Sequence, residues 1–215
     1  MTQGVPKNPK LYHIVHVDRL PSILAEGGLW CDAVSSQRRL KGTTIGFPDI
    51  KARRLERQLV SYPDLSVGDC VPFYFCPRSV MLYIIYKRNH ENLQYKDGQV
   101  NIIHLETTLF NIVEWANENQ KRWVFTSANA GAFYCEDCND LGQLNQINWQ
   151  AVNARSWQKV RESKQAEFLL ETFFPWYLVE NIGVCTAEVL QSVESVLEDF
   201  DSPQLHASIR SSWYY

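Results

Sequence analysis

The feature that most constrains this chain is the irregular order of its short strand-like segments. LYHIVH (11–16), VPFYFCP (71–77), VNIIHLE (100–106), WVFT (123–126), AEFLLET (166–172), NIGVC (181–185) and LHASIR (205–210) are apolar runs of strand length. Helical spacing separates some of them and not others. VDRLPSILAEGGLW starts at Asp18 and stops at Gly27-Gly28, and residues 48–59 read as a helix. Residues 79–88 read as a short buried helix, with a strand as the alternative. Asn148 and Thr186 can each cap a further helix, and residues 31–47 read as a loop. Such an order does not fit a doubly wound parallel sheet. It predicts an α+β fold, a single domain over residues 1–215, with no internal repeat or linker to divide it. There is also no GxGxxG and no GxxxxGK[ST].

Composition narrows the class. Hydrophobic residues are 45% and charged residues 21%, and no apolar run is long enough to span a bilayer. The opening MTQGVPKNPK lacks the apolar centre of a signal peptide, so a cytoplasmic protein without membrane contact is expected. Cys135 and Cys138 form one C-x-x-C, but no second pair completes a zinc set, and no metal is expected. As a strand, LYHIVH sends His13 and His16 to opposite faces, which argues against one metal between them.

Charge is uneven. Residues 38–57 carry seven basic side chains against Asp49 and Glu56, a local +5 in a chain of net −3. On a helix over 48–59, Ala52, Leu55 and Leu59 share one face, and Arg53, Arg54 and Arg57 the other. Three guanidinia on one face suit phosphates, and with Arg38, Arg39 and Lys41 beside them they point to a polyanion or nucleotide. A merely solvated basic face is the bland alternative. The C-terminal helix opposes any global attraction, with Glu188, Glu194, Glu198, Asp199 and Asp201 and no cation. Tyr74 points opposite to Phe73 and Phe75 on its strand, either into core or free to stack on a base or nicotinamide ring. Glu167 leads an otherwise apolar strand, with Leu169 on its own face and Ala166, Phe168 and Leu170 on the other.

Taken together, YHIVHVDRLPSIL, VPFYFCPRSVMLY, WVFT with its small-residue loop, INW, KQAEFL with PW after it, and the terminal WYY resemble the DarT family of bacterial DNA ADP-ribosyltransferase toxins. The resemblance runs from about residue 11 to 215. It implies an ADP-ribosyltransferase-like fold, in which two facing β-sheets form an NAD cleft among short helices. NAD is then the co-substrate, a base in single-stranded DNA the acceptor, and an antitoxin with an ADP-ribose-removing macrodomain (DarG-like) the partner. Carried over position by position, the family's catalytic glutamate falls on Glu167 and its essential arginine on Arg54. The family's Y-H-x-x-H strand places Tyr12 and His13 on the nicotinamide side, and residues around 31–57 cover the NAD and form part of the DNA surface. With the charge and aromatic readings, Arg53 and Tyr74 are expected at NAD, and Arg38, Arg39, Lys51, Arg57 and Asn129 at DNA. Where some members carry F-T-D-x-H, this chain has FTSANA, with Ser127 and Asn129 at the acidic and histidine positions. That leaves base identity open, with thymine expected, guanine next, and RNA or protein acceptors or a non-enzymatic nucleic-acid-binding module as alternatives. Glu167 is expected to be a solvated carboxylate whose removal hardly disturbs folding.

Overall fold

The structure is a computed structural model describing residues 4–132, 135–200 and 205–215. Its strands are β1 Lys10–His16, β2 Gly28–Trp30, β3 Cys70–Tyr74, β4 Ile102–Thr108, β5 Trp123–Thr126, β6 Asp137–Cys138, β7 Glu167–Glu171, β8 Phe173–Pro175, β9 Asn181–Val184 and β10 His206–Ile209. Its helices are α1 Leu20–Ala25, α2 Asp32–Gln37, α3 Pro48–Glu56, α4 Val80–Lys87, α5 Leu109–Glu118, α6 Trp149–Asn153 and α7 Ala187–Asp199.

Eight strands form one sheet in the order β10-β9-β4-β1-β3-β7-β5-β6, and β2 pairs with β8 in a small second sheet. The α+β expectation holds. Adjacent strands in the large sheet are not equally joined. β1 and β4 are in register from Lys10↔Thr108 to His16↔Ile102, and β3 and β7 from Cys70↔Glu171 to Tyr74↔Glu167. Between β1 and β3 the register is the single pair Tyr12↔Tyr74. The sheet therefore opens at its middle into two four-stranded halves that meet beside Tyr74.

Packing on the two faces keeps that opening in place. On one face Phe73, Phe168, Leu105 and Leu11 are buried with α1, α5 and α7. On the other, α4 contributes Leu82 and Ile85 to a cluster with Ile14, Phe47 and Tyr214. Fully burying side chains of this size contributes roughly 1.5–3 kcal/mol each. Tyr214 fixes the end of the chain: its hydroxyl lies 2.7 Å from the Ile102 carbonyl and 3.0 Å from that of Gly183. A Cβ on Gly183 would collide with the Trp213 ring. Among the described residues no helix is long and apolar enough to cross a membrane.

Several local expectations change. Residues 79–88 are helical, because the Ser79 hydroxyl accepts the Leu82 N–H and the apolar side chains of α4 have a core to enter. The loop expected over 31–47 contains α2, and nothing in the local sequence pattern announced α5. Asp18 caps no α-helix; its carboxylate takes the Thr43 N–H and hydroxyl instead. Asp201, assigned above to the acidic C-terminal helix, lies outside the described residues.

Candidate active site

Glu167 opens β7, and two hydrogen bonds seat that first residue. Its backbone N–H donates to Thr126 Oγ1 at 3.1 Å, and its carboxylate accepts the Ala130 N–H at 3.0 Å. The loop after β5 thus wraps the carboxylate. Small residues there let the backbone approach, which is what the FTSANA stretch supplies.

The third partner comes from α3. Arg54 donates through both terminal nitrogens to Glu167 Oε2 at 3.0 Å, and its Nη1 is 3.3 Å from Oε1. Glu167 is 2% exposed and Arg54 9%. The expected solvated carboxylate is therefore corrected: Glu167 is buried and held in a forked, charge-assisted pair. Burial works against the Arg54 charge, but the Glu167 carboxylate outweighs it and raises the guanidinium's pKa above its ordinary value.

That pair also corrects the helix face. Arg54 is buried, while Ala52 and Leu55 are exposed. α3 ends at Glu56, so Leu59 is buried without belonging to it. An unpaired carboxylate inside the fold would cost far more than one exposed leucine, so the ion pair sets the helix's rotation.

Around the pair lies a cavity of about 550 Å³, within the usual range for ligand sites. It opens where β1 and β3 part. Ile14, Phe47, Met81 and Ile84 give it apolar walls, and Arg19, Lys51, Arg53 and Arg161 bring cations to it. Among the expected residues His13, Lys51, Arg53, Arg54, Tyr74, Asn129 and Glu167 all line this one cavity.

His13 donates from Nδ1 to the Pro72 carbonyl at 2.7 Å, which leaves Nε2 as the acceptor. Burial lowers its pKa to about 4, so the ring is neutral. Tyr74 stands opposite Glu167 in register, and burial first, then the Glu167 charge, raise its pKa, keeping the phenol protonated. Asn129 accepts the Gly131 N–H and donates to Gln165 Oε1 at 3.1 Å. Lys51 pairs with Asp32 at 2.6 Å and so ties α3 to α2.

Four expected residues do not line the cavity. Tyr12 shares a sheet face with Tyr74 but packs edge-on against Trp213, 5.1 Å between centroids. Strand alternation separates it from His13, and the terminal Trp213 fills the space in front of it. Arg38 lies 4.3 Å over Trp30 and pairs with Glu26. Arg57 donates to the Cys135 carbonyl at 2.9 Å. Arg39 is exposed beyond α2. Sequence reasoning missed Asp32, Gln165, Arg161 and the Ala130 N–H, which depend on tertiary placement.

Cys135 and Cys138 are unpaired, and Cys138 lies opposite Phe125 in β6. Among the described residues no group of three or more His, Cys, Asp or Glu side chains is placed to hold a metal ion.

Comparison with known proteins decides the family. Residues 12–215 match the family model described as ssDNA thymidine ADP-ribosyltransferase, DarT. The chain belongs to the DarT family of DNA ADP-ribosyltransferases. It is 39% identical over 208 residues to a DNA ADP-ribosyl transferase of Thermus aquaticus, covering 95% of this chain and 88% of the relative. The structure of Thermus sp. 2.9 DarT in complex with ADP-ribosylated ssDNA matches with a TM-score of 0.89 at 33% identity, covering all of both chains. Thermus sp. 2.9 DarT in complex with NAD+ matches with a TM-score of 0.83 at 32% identity, covering 99% of this chain and all of that one.

Proposed function

We propose that this member of the DarT family transfers ADP-ribose from NAD to thymine in single-stranded DNA, with Glu167 as the catalytic carboxylate. The observation that carries the reading is the seating of Glu167 in the cavity by Arg54 and the Ala130 N–H. The family model's description of a thymidine-directed enzyme supports the base. The NAD+ and ADP-ribosylated ssDNA complexes of Thermus sp. 2.9 DarT support the two substrates.

The cavity suits NAD. Its apolar walls accept flat rings, Arg53 brings positive charge for the pyrophosphate, and His13 Nε2 offers an acceptor to an amide or hydroxyl donor. Tyr74 gives a protonated phenol and a ring face beside Glu167.

The chemistry needs one carboxylate in a fixed place. As nicotinamide leaves ribose C1′, positive charge grows there, and Glu167 stabilises it electrostatically. The same carboxylate takes the thymine N3 proton as the N3–C1′ bond forms. In the structure both Glu167 oxygens are engaged, so Arg54 must give up part of its hold. Substrate phosphates supply the alternative partner, and Arg54 then bridges an anionic substrate and the carboxylate. A duplex buries the thymine N3–H against adenine, and unpairing it costs a few kcal/mol. Single strands avoid that cost.

As a toxin of this kind the protein would act in the cytoplasm, counteracted by an antitoxin whose macrodomain removes ADP-ribose. The test is mass spectrometry of one oligonucleotide sequence incubated with protein and NAD in three forms: thymine, N3-methylthymine, or hybridised to its complement. Modification of the first alone is expected. Equal modification of all three contradicts both the base and the strand assignment, and modification at guanines redirects the base.

A further inference from the structure

α4 has two surfaces with different surroundings. Met81 and Ile84 face the cavity, while Tyr83 and Tyr86 form a second group. Tyr86 is 42% exposed, and its ring lies 21° from parallel to that of Tyr215 with centroids 6.1 Å apart. Lys87 Nζ sits 5.2 Å from the Tyr86 ring centre, and the Arg78 guanidinium lies 4.2 Å over Tyr215. Trp157 backs the group at 5.1 Å from Tyr83.

A single exposed tyrosine needs no explanation. Here, however, three tyrosine rings lie together with cations over them. Arg78 and Lys87 lie at the rings themselves, and residues 153–161, which carry Trp157, bring Arg155, Lys159 and Arg161 without a carboxylate. In a chain of net −3 these are five positive charges in two short segments. Arg161, four residues beyond Trp157 in the chain, lines the cavity, and Met81 and Ile84 of the same helix as Tyr83 and Tyr86 line it too.

We propose that Tyr86, supported by Tyr83 and Tyr215, is a stacking platform for a nucleotide flanking the acceptor base, with Lys87, Lys159 and Arg161 facing its phosphates. The proposal rests on the reading that single-stranded DNA is the acceptor. A helix is ~10 Å across, so the platform lies within reach of a neighbouring nucleotide rather than of the acceptor itself. Every base has a π-face, and phosphates on either side meet the cations. The platform therefore sets how tightly a longer strand is held, and leaves base choice to the cavity.

The experiment compares binding of a labelled dodecamer and a trimer of single-stranded DNA to wild type, Tyr86→Ala and Tyr86→Phe by fluorescence anisotropy. Tyr86→Ala should weaken the dodecamer about tenfold or more, the scale of one base–ring stack. It should leave the trimer and the KM for NAD unchanged, and Tyr86→Phe should bind as wild type. Lys87→Ala should lower the salt slope by about one. An undiminished dodecamer affinity in Tyr86→Ala, or an equal loss on the trimer, overturns the platform. Wild type that binds the dodecamer but transfers no ADP-ribose overturns the proposed function alone. Wild type that binds no dodecamer overturns the platform as well.

Discussion

Arg54 and Glu167, 113 residues apart in sequence, form a forked ion pair inside the fold. Each side chain makes the other tolerable there. A lone buried charge of either sign would cost several kcal/mol, whereas the pair with the added Ala130 N–H has its hydrogen-bonding needs met. The same pair joins α3 and its loop to β7 of the large sheet.

Removing one partner should therefore show in stability as well as activity. Glu167→Ala should destabilise the protein by about 3–5 kcal/mol, because Arg54 is left buried and uncompensated. Glu167→Gln keeps the shape and one acceptor and should cost less. Arg54→Ala combined with Glu167→Ala should recover part of the loss. Chemical denaturation of wild type, the two alanine variants and their combination checks this, and additive losses would contradict the coupling.

How much of this was legible in the sequence depended on distance. Alternation or short apolar runs placed β1, β5, β7 and β9, and Thr186 was recognised as the cap of α7, because those signals are local. Glu167 stood out since a carboxylate led an apolar strand. Its buried state did not, because the compensating Arg54 is a tertiary neighbour. For the same reason Arg54 was placed on the exposed basic face beside Arg53 and Arg57, and Leu55 in the core. The small β2–β8 sheet was missed because three-residue strands carry no periodicity. Tyr12 was carried over from the family and lies away from the cavity, behind Trp213.

Asp18 should govern access of NAD. Its carboxylate holds the loop before α3 through the Thr43 N–H at 3.0 Å and hydroxyl at 2.7 Å. Asp18→Ala should raise the KM for NAD about fivefold, the effect of ~1 kcal/mol of hydrogen bonding, with kcat little changed. Steady-state kinetics decide it, and an unchanged KM would mean the loop is held by other interactions.

Arg53 should report on phosphate. It is exposed at the cavity, unlike Arg57, which is tethered to the Cys135 carbonyl. Replacing both should weaken oligonucleotide binding and flatten its salt dependence, by about one unit of slope for each phosphate no longer neutralised. Most of the change should come from Arg53. An unchanged slope would return α3 to a solvated basic face.

Two histidines, His104 fully buried and His13 half-buried at the cavity, give stability an acid limb. Burial holds His13 and His104 neutral with pKa values of about 4, against 6.5 for the free side chain. Between those values the unfolded chain binds more protons than the folded one, so stability falls as pH drops from 6.5 towards 4. Asp18 and Glu171, whose pKa values are lowered, begin to add their losses as pH falls through their ordinary values, 4.5 for Glu171 and 3.8 for Asp18. A Tm profile should decline through this window, and a flat one would contradict the desolvation of both rings.

The most direct measurement follows ADP-ribose itself. A single-stranded oligonucleotide with one thymine, incubated with NAD and either wild type or Glu167→Gln, is read by mass spectrometry after both proteins are shown to be folded. Wild type should add one ADP-ribose at that thymine and release nicotinamide, and Glu167→Gln should add essentially none. Transfer by folded Glu167→Gln at the wild-type rate would contradict the assignment of Glu167 as the catalytic carboxylate.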